Sequence, residues 1–294
     1  MVERPSMQFL PDGKRLHLRQ GPIDLIIQAD GEPAAMRDAC MAAGRRFDGL
    51  LAELCDELAL LRAPVTDTSR RPEGVVARRM HAAVLPFAGE SFITPMAAVA
   101  GAVAEEILAA MIAAAPLRRA FVNNGGDIAL HLAEGERFCI GLVDRPDRPS
   151  LFGTATIEST DPARGIATSG YPGRSFSLGI AEAVAVIAPT ASMADAAATV
   201  ICNAVDLPGH PAIIREPADT IQVESDLGSL PVTRHVGPLA PAEIDHAIER
   251  GLAQAGALRR RGLITTCAIQ LQVRSKSLSD ATFTKNITRK FAHA

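Results

Sequence analysis

Hydrophobic and polar positions alternate over residues 15–19 (RLHLR), and 23–27 (IDLII) form a compact apolar run. Pro11-Asp12-Gly13 and Asp30-Gly31 bracket them, so two strands joined as a hairpin are predicted. The period then changes. Phe47, Leu50, Leu51, Leu54, Leu58 and Leu61 recur at helical spacing, with Arg45, Arg46, Glu53, Asp56 and Glu57 mostly elsewhere on the wheel. One long helix is predicted over 33–62, ended by Pro64. Residues 65–75 are polar and read as a loop. Arg70, Arg71, Arg78 and Arg79 flank it, either as a solvated surface or as a phosphate clamp.

Residues 92–117 open with a turn at Thr94-Pro95 and continue as a helix of small residues. Such a helix lets a neighbouring element or a ligand come close. A buried strand is predicted over 120–124, then the turn Asn123-Asn124-Gly125-Gly126-Asp127, then a strand over 128–132. Asn-Gly and Gly-Gly supply positive φ cheaply, which is enough for a hairpin. The same glycines could also expose backbone N–H groups to an anion, with Asp127 accepting from a ring N–H or a ribose hydroxyl. A strand follows over 138–143, and an edge-type strand over 151–157. Residues 165–175 (GIATSGYPGRS) read as a glycine-rich loop that matches neither a Walker A sequence nor a GxGxxG fingerprint. Further on come a strand at 183–188, a loop near 206–218, strand-like runs around 220–223 and 229–233, a helix from Pro241 to Leu258 and a last strand over 263–273. Hairpin turns outnumber βα units. The predicted class is α+β with a mainly antiparallel sheet, as one domain over 1–274 with a polar tail over 275–294.

The stretch 179–205 (GIAEAVAVIAPTASMADAAATVICNAV) sets an acid, Asp195, among alanines. Ser192-Met193-Ala194-Asp195 fits a capping box, in which the acid satisfies a helix N-terminus. The alternative uses the same helix. Asp195 and Thr199 share one face at i, i+4, and a carboxylate with a hydroxyl suits Mg²⁺, which takes few protein ligands and completes its shell with water and phosphate.

Composition narrows the classes. The chain has 294 residues and a net charge of -3, with no Trp and one Tyr. Neither nucleic acid nor a membrane surface is an expected partner. The apolar stretches are interrupted by Glu105, Glu106, Glu182 and Asp195, so no spanning helix is expected. Five widely spaced cysteines without a CxxC fit reduced thiols in a cytoplasmic protein. Exposed small-residue helices are compatible with a homodimer.

The order TPMAAVAGAVAEEIL, VNNGGDI, GIATSGY and SMADAAATVICNAV over roughly 90–205 resembles the ApbE-like superfamily, whose best-known members are FAD:protein FMN transferases. The resemblance implies an α+β fold and a ligand of FAD, or a related flavin nucleotide, with Mg²⁺ or a similar divalent metal. It implies metal contacts from Asp195 and Thr199 and from the backbone carbonyl of Ala100. It places Asn124, Gly125, Gly126 and Asp127 at the flavin-contacting turn, and Thr168, Ser169 and Gly170 in a loop facing the same ligand. Arg174 is added by its location, as a group that could stabilise a phosphate. No catalytic nucleophile or base is assigned; Ser169, Ser175 and Glu182 are candidates by location alone. The chain also departs from the transferases. Ala97, Ala98 and Ala102 stand where they carry a Lys-Gly pair and an Asp. Residues 171–179 (YPGRSFSLG) replace a His-x-x-Asp-Pro segment. Three classes therefore stay open: a Mg-dependent enzyme acting on a phosphate linkage of a flavin or nucleotide, a non-catalytic flavin- or nucleotide-binding protein such as a carrier or assembly factor, and a structural or interaction domain in which Asn123–Asp127 is only a turn and Ser192 and Asp195 only a cap.

Overall fold

The computed structural model describes residues 4–66, 68–143, 151–278 and 283–284. The chain opens with β1 (Ser6–Phe9), β2 (Leu16–Gln20) and β3 (Ile23–Asp30). The predicted hairpin is β2–β3, paired antiparallel from Leu16↔Ile27 to Gln20↔Ile23. The predicted long helix is three pieces: α1 (Pro33–Phe47), α2 (Leu50–Asp56) and α3 (Leu58–Leu61). Gly49 breaks it by taking φ +82, a left-handed backbone that ends a helix without steric cost.

α4 (Val75–Val84) was hidden in the basic segment, and α5 (Val99–Ala114) follows a single 3-10 turn, Pro95–Ala98. Next come β4 (Arg119–Asn124), β5 (Asp127–Leu132), β6 (Arg137–Val143), β7 (Leu151–Glu158) and β8 (Gly165–Ser169). β9 (Ala183–Ala188) leads into α6 (Ala191–Ala204). After α6 come β10 (Ile213–Pro217), α7 (Ala218–Ile221), β11 (Pro231–Val236), α8 (Pro241–Arg260) and β12 (Thr266–Leu271). β13 (Arg274–Ser277) and β14 (Phe283–Thr284) close the described chain.

Nine strands form one sheet in the order β1-β2-β3-β4-β5-β8-β9-β12-β13, and every pairing in it is antiparallel. The class is α+β, as the turn chemistry implied. Helices cover one face, where Leu16, Leu18, Leu25, Val122 and Val186 meet Phe47, Ile107, Met111 and Ile201 in the main core. The other face is covered in part by a small sheet, β14-β7-β6. There Leu130, Ile166 and Ile187 of the large sheet pack with Ile157 and Ala155 of β7. β9 is buried at all six positions, because it is covered on both faces; this is why it reads as a continuous apolar run.

Several sequence expectations change. Residues 165–169 are a central strand, not loop. Gly165 is there because a Cβ would stand 2.1 Å from the Thr190 carbonyl; the glycine marks a close approach within a strand rather than a turn. β7 is the middle strand of the small sheet, not an edge. The region read as a loop to 218 contains β10, and 218–221 is a helical turn. The expected tail begins with a strand, since 274–277 pair with β12. Arg79 turns inward to Glu105 and Glu106, at 3.4 and 3.2 Å, and Arg70 pairs with Glu73 at 3.3 Å. Two of the four arginines are thus paired with carboxylates, while Arg78 bonds to the Glu73 carbonyl.

The 20-residue span Pro95–Ala114 has the length and composition of a membrane-crossing helix. In this fold it packs among α1, α4, α6, β4 and β5. The crossing of α5 over α6 is close because Gly101 lacks a side chain: a Cβ there would lie 2.3 Å from the Ala191 carbonyl oxygen. That obstacle is backbone and cannot swing away. We expect Gly101→Ala to destabilise the protein by about 3 kcal/mol or more, against about 1 kcal/mol for Gly135→Ala, whose φ of +80 is strained but whose surroundings are open. Urea unfolding of the two variants checks the contrast.

Candidate functional site

The site is built where two helix starts meet one hairpin turn. α6 is capped by Thr190, whose hydroxyl accepts from the Met193 N–H at 3.3 Å. The expected capping box at Ser192 is therefore not formed. Ser192 lies inside the first turn, and its N–H and hydroxyl donate to Glu105 of α5 at 2.6 and 2.8 Å. Asp195 in turn accepts the Gly101 N–H of α5 at 3.1 Å. Gly101 is in the first turn of α5, where N–H groups lack partners inside the helix. Each helix thus supplies the carboxylate that satisfies the other's N-terminus. Asp195 is a cap, but of the neighbouring helix.

The turn is bound to this crossing by Asn124. Its Nδ2 donates to the Ala100 carbonyl at 3.2 Å, and the side chain is 7% exposed. Asn124 and Asp127 are the last pair of the β4–β5 ladder, with Gly125 (φ +66) and Gly126 (φ +118) as the two-residue loop. Positive φ at both positions is what such a loop demands. The Gly126 N–H donates to Asn123 Oδ1 at 2.8 Å, so it is not available to an anion. Asp127 accepts the Thr168 N–H at 3.2 Å, which ties the turn to the end of β8. Arg174 reaches over the turn: its Nη1 would be 3.4 Å from a Gly125 Cβ, and its Nη2 donates to the Pro22 carbonyl at 2.9 Å.

Two carboxylates converge here from opposite sides of the chain. Burial pushes Asp127 up to about 7, against the opposing pull of the Thr168 N–H and the Arg174 charge. Burial, and then the Asp127 charge, push Asp195 well above the usual carboxylate range; the N–H groups of Gly101 and Ala100 counter this only in part. Like charges in a desolvated setting cannot both stay ionised without a counter-charge. Thr199 lies one turn after Asp195 and is half-buried with it.

Ala100, Asn124, Gly125, Gly126, Asp127, Thr168, Arg174 and Asp195 are thus brought together by hydrogen bonds, contact or charge. Ser169 and Gly170 are turned to structural tasks. The Ser177 and Ser169 hydroxyls oppose the burial that raises the Cys202 thiol to about 11. A Cβ on Gly170 would lie 2.0 Å from the Glu182 carbonyl oxygen, so this glycine makes room for the chain at the entry to β9. Glu105, Gly101 and Pro22 join the site without having been singled out by the sequence. All five cysteines are free.

Among the described residues no three His, Cys, Asp or Glu side chains cluster as a metal centre. A cation held here would rely on Asp127 and Asp195 together with neutral oxygens, the Thr199 hydroxyl first among them. The Ala100 carbonyl already accepts from Asn124. Hard oxygen donors of this kind suit Mg²⁺ rather than zinc, and a cation would supply the charge that the carboxylate pair lacks.

The model of the family described as AbpE bacteria matches residues 7–282. A UPF0280 protein of Methanopyrus kandleri is 39% identical over 142 residues, covering 48% of this chain and 53% of the relative. One from Methanosphaerula palustris is 39% identical over 140 residues, covering 44% and 52%. The chain spans about half the length of these relatives. The flavin transferase ApbE from Vibrio cholerae, in a mutant form, is similar in structure at a TM-score of 0.45 and 13% identity, over 92% of this chain and 98% of that one.

The carboxylate pair predicts a pH dependence. Both folded-state pKa values lie above the unfolded value of about 3.9, so the folded state holds protons that the unfolded state releases. Stability is full below about pH 4 and is lost as pH rises through the folded value of about 7 for Asp127. Chemical denaturation of the metal-free protein from pH 4 to 8 should show this fall, and Asp127→Asn should flatten it. An equal slope in both proteins would place the protons elsewhere.

Proposed function

Because the chain belongs to the AbpE bacteria family, of the ApbE-like superfamily, we propose that it binds a flavin nucleotide with a divalent cation and acts on the nucleotide's phosphate linkage. The observation that carries this reading is the convergence of Asp127 and Asp195, two desolvated carboxylates held by backbone N–H groups, with the Arg174 charge offsetting the burial of Asp127 only in part. Asp195, Asp127 and Thr199 would hold Mg²⁺, which when bound would neutralise charge on a phosphate oxygen. The protein's own contribution is positional. Asn124 and the Gly101 N–H keep the turn and the two helix starts in register. Thr168 holds the Asp127 carboxylate at the end of β8. The two-glycine turn keeps that side of the site low, so that a broad ring system can lie against it.

A second reading, a binding protein without catalysis, is favoured by the segment 171–179. It carries no histidine and no acid.

Incubation with FAD and Mg²⁺, followed by chromatography for AMP, separates the two. Under the first reading AMP accumulates, stops on chelation, and falls at least about a hundredfold in Asp195→Asn. Under the second, FAD binds in a Mg²⁺-dependent way and remains intact. If calorimetry detected undiminished Mg²⁺-dependent FAD binding in Asp195→Ala, the metal assignment would be wrong under either.

A further inference from the structure

We propose that Arg174 is the specificity-determining residue of the site: it recognises the ligand's phosphate and makes the site prefer phosphorylated over unphosphorylated flavins. This rests on the flavin reading above.

Three observations single out this arginine. The first is its anchorage. Nη2 is pinned on the Pro22 carbonyl at 2.9 Å, and Nη1 lies against the Gly125 position at 3.4 Å from where a Cβ would stand. The guanidinium is thereby fixed over the turn although the side chain is exposed. The second is its missing ion pair. Arg46, Arg79, Arg119 and Arg215 all bond to carboxylates. Among the described residues Arg174 bonds to none; its one hydrogen bond goes to a neutral carbonyl. Nη2 spends one of the five N–H donors of the fork on Pro22, and the residue is exposed beside the turn. The Arg174 charge still reaches Asp127 and holds its carboxyl down.

The third is the lack of a competitor for an incoming anion. In the first turns of α5 and α6 the Gly101 N–H goes to Asp195, the Ser192 N–H to Glu105 and the Met193 N–H to Thr190. The Gly126 N–H goes to Asn123. What remains at the turn is the Gly125 N–H and the Arg174 fork. A fork of parallel N–H donors matches two oxygens of one phosphate, whereas an unphosphorylated flavin offers it no anionic group.

The test compares wild type, Arg174→Gln and Arg174→Lys in the full chain at fixed Mg²⁺. Dissociation constants for FMN and riboflavin are read from flavin fluorescence quenching, and for inorganic pyrophosphate from calorimetry. Thermal midpoints should be close to wild type, because the side chain is exposed. Wild type should prefer FMN to riboflavin. Arg174→Gln should weaken FMN and pyrophosphate by between about ten- and a hundredfold and leave riboflavin within about twofold. Arg174→Lys should recover only part of the loss, because an ammonium lacks the fork. Equal weakening of FMN and riboflavin, or no weakening of either, overturns the proposal. So does a wild type with no preference for the phosphate. If wild type binds pyrophosphate through Arg174 but neither flavin, the phosphate role stands and the flavin reading falls. If it binds none of the three, both fall.

Discussion

The structure depends on the crossing of α5 and α6 at their N-termini. Two constraints act at one place. Gly101 lets α5 come within backbone contact of Ala191, and Gly165 lets β8 come equally close to Thr190 from the other side. The start of α6 is thereby threaded between a helix and a strand. Helix starts buried this deeply cannot be satisfied by water, and their free N–H groups need acceptors. Glu105 and Asp195 provide them across the crossing. Glu57 likewise fixes the approach to α4 from a neighbouring element, accepting the N–H groups of Glu73 and Gly74, just before its first turn, at 2.7 Å each. Capping from a neighbouring element, rather than from within, recurs in this fold and fixes helices relative to each other as well as closing their ends.

That solution creates the chemistry of the site. An acid that caps α5 from α6 must sit at the crossing, and the β4–β5 turn delivers Asp127 to the same place. One carboxylate would be a structural cap and no more. Two, both partly withdrawn from water, raise each other's protonation free energy. A proton on one acid relieves the repulsion that the ionised Asp127 exerts on Asp195. A purely structural account explains Asp195 through its Gly101 bond. It leaves Asp127 unexplained, since the Thr168 N–H alone does not offset its burial.

Much of this was legible in the chain. The alternation at 15–19, Pro241 at the first position of α8, and the Asn-Gly-Gly-Asp turn each carried their own local physics, and each appears where expected. The errors share a cause: a residue with a tertiary task looks the same in sequence as one with a local task. Gly165 and Gly170 read as loop glycines but serve close backbone approach in and beside a strand. Ser192 followed by Asp195 reads as a capping box, yet Thr190 caps the helix and both residues turn to α5. Glu105 and Glu106 registered only as interruptions of an apolar stretch. Two adjacent acids in a helix of alanines were the available signal, because buried carboxylates require partners. Those partners, Ser192, Arg79 and Arg46, are remote in the chain, and no local pattern ties them together.

The capping scheme also constrains how any phosphorylated ligand could be held. A helix N-terminus is ordinarily a ready anion site, with free N–H groups and the positive end of the dipole. This protein brings two such termini together and then fills both with its own carboxylates. A phosphate arriving at the crossing would meet negative charge rather than free donors. Binding must therefore bring positive charge from elsewhere, either as a cation on the acid pair or from a basic side chain set back from the helices. The two sources are not equivalent. A cation bound by the acids would relieve a repulsion already built into the protein, with or without a phosphorylated ligand. A guanidinium tied to a neutral carbonyl offsets the burial of Asp127 only in part, and its outward charge is free to meet an anion. Under the proposed reading the first source would balance the acid pair, and the second would make the site selective.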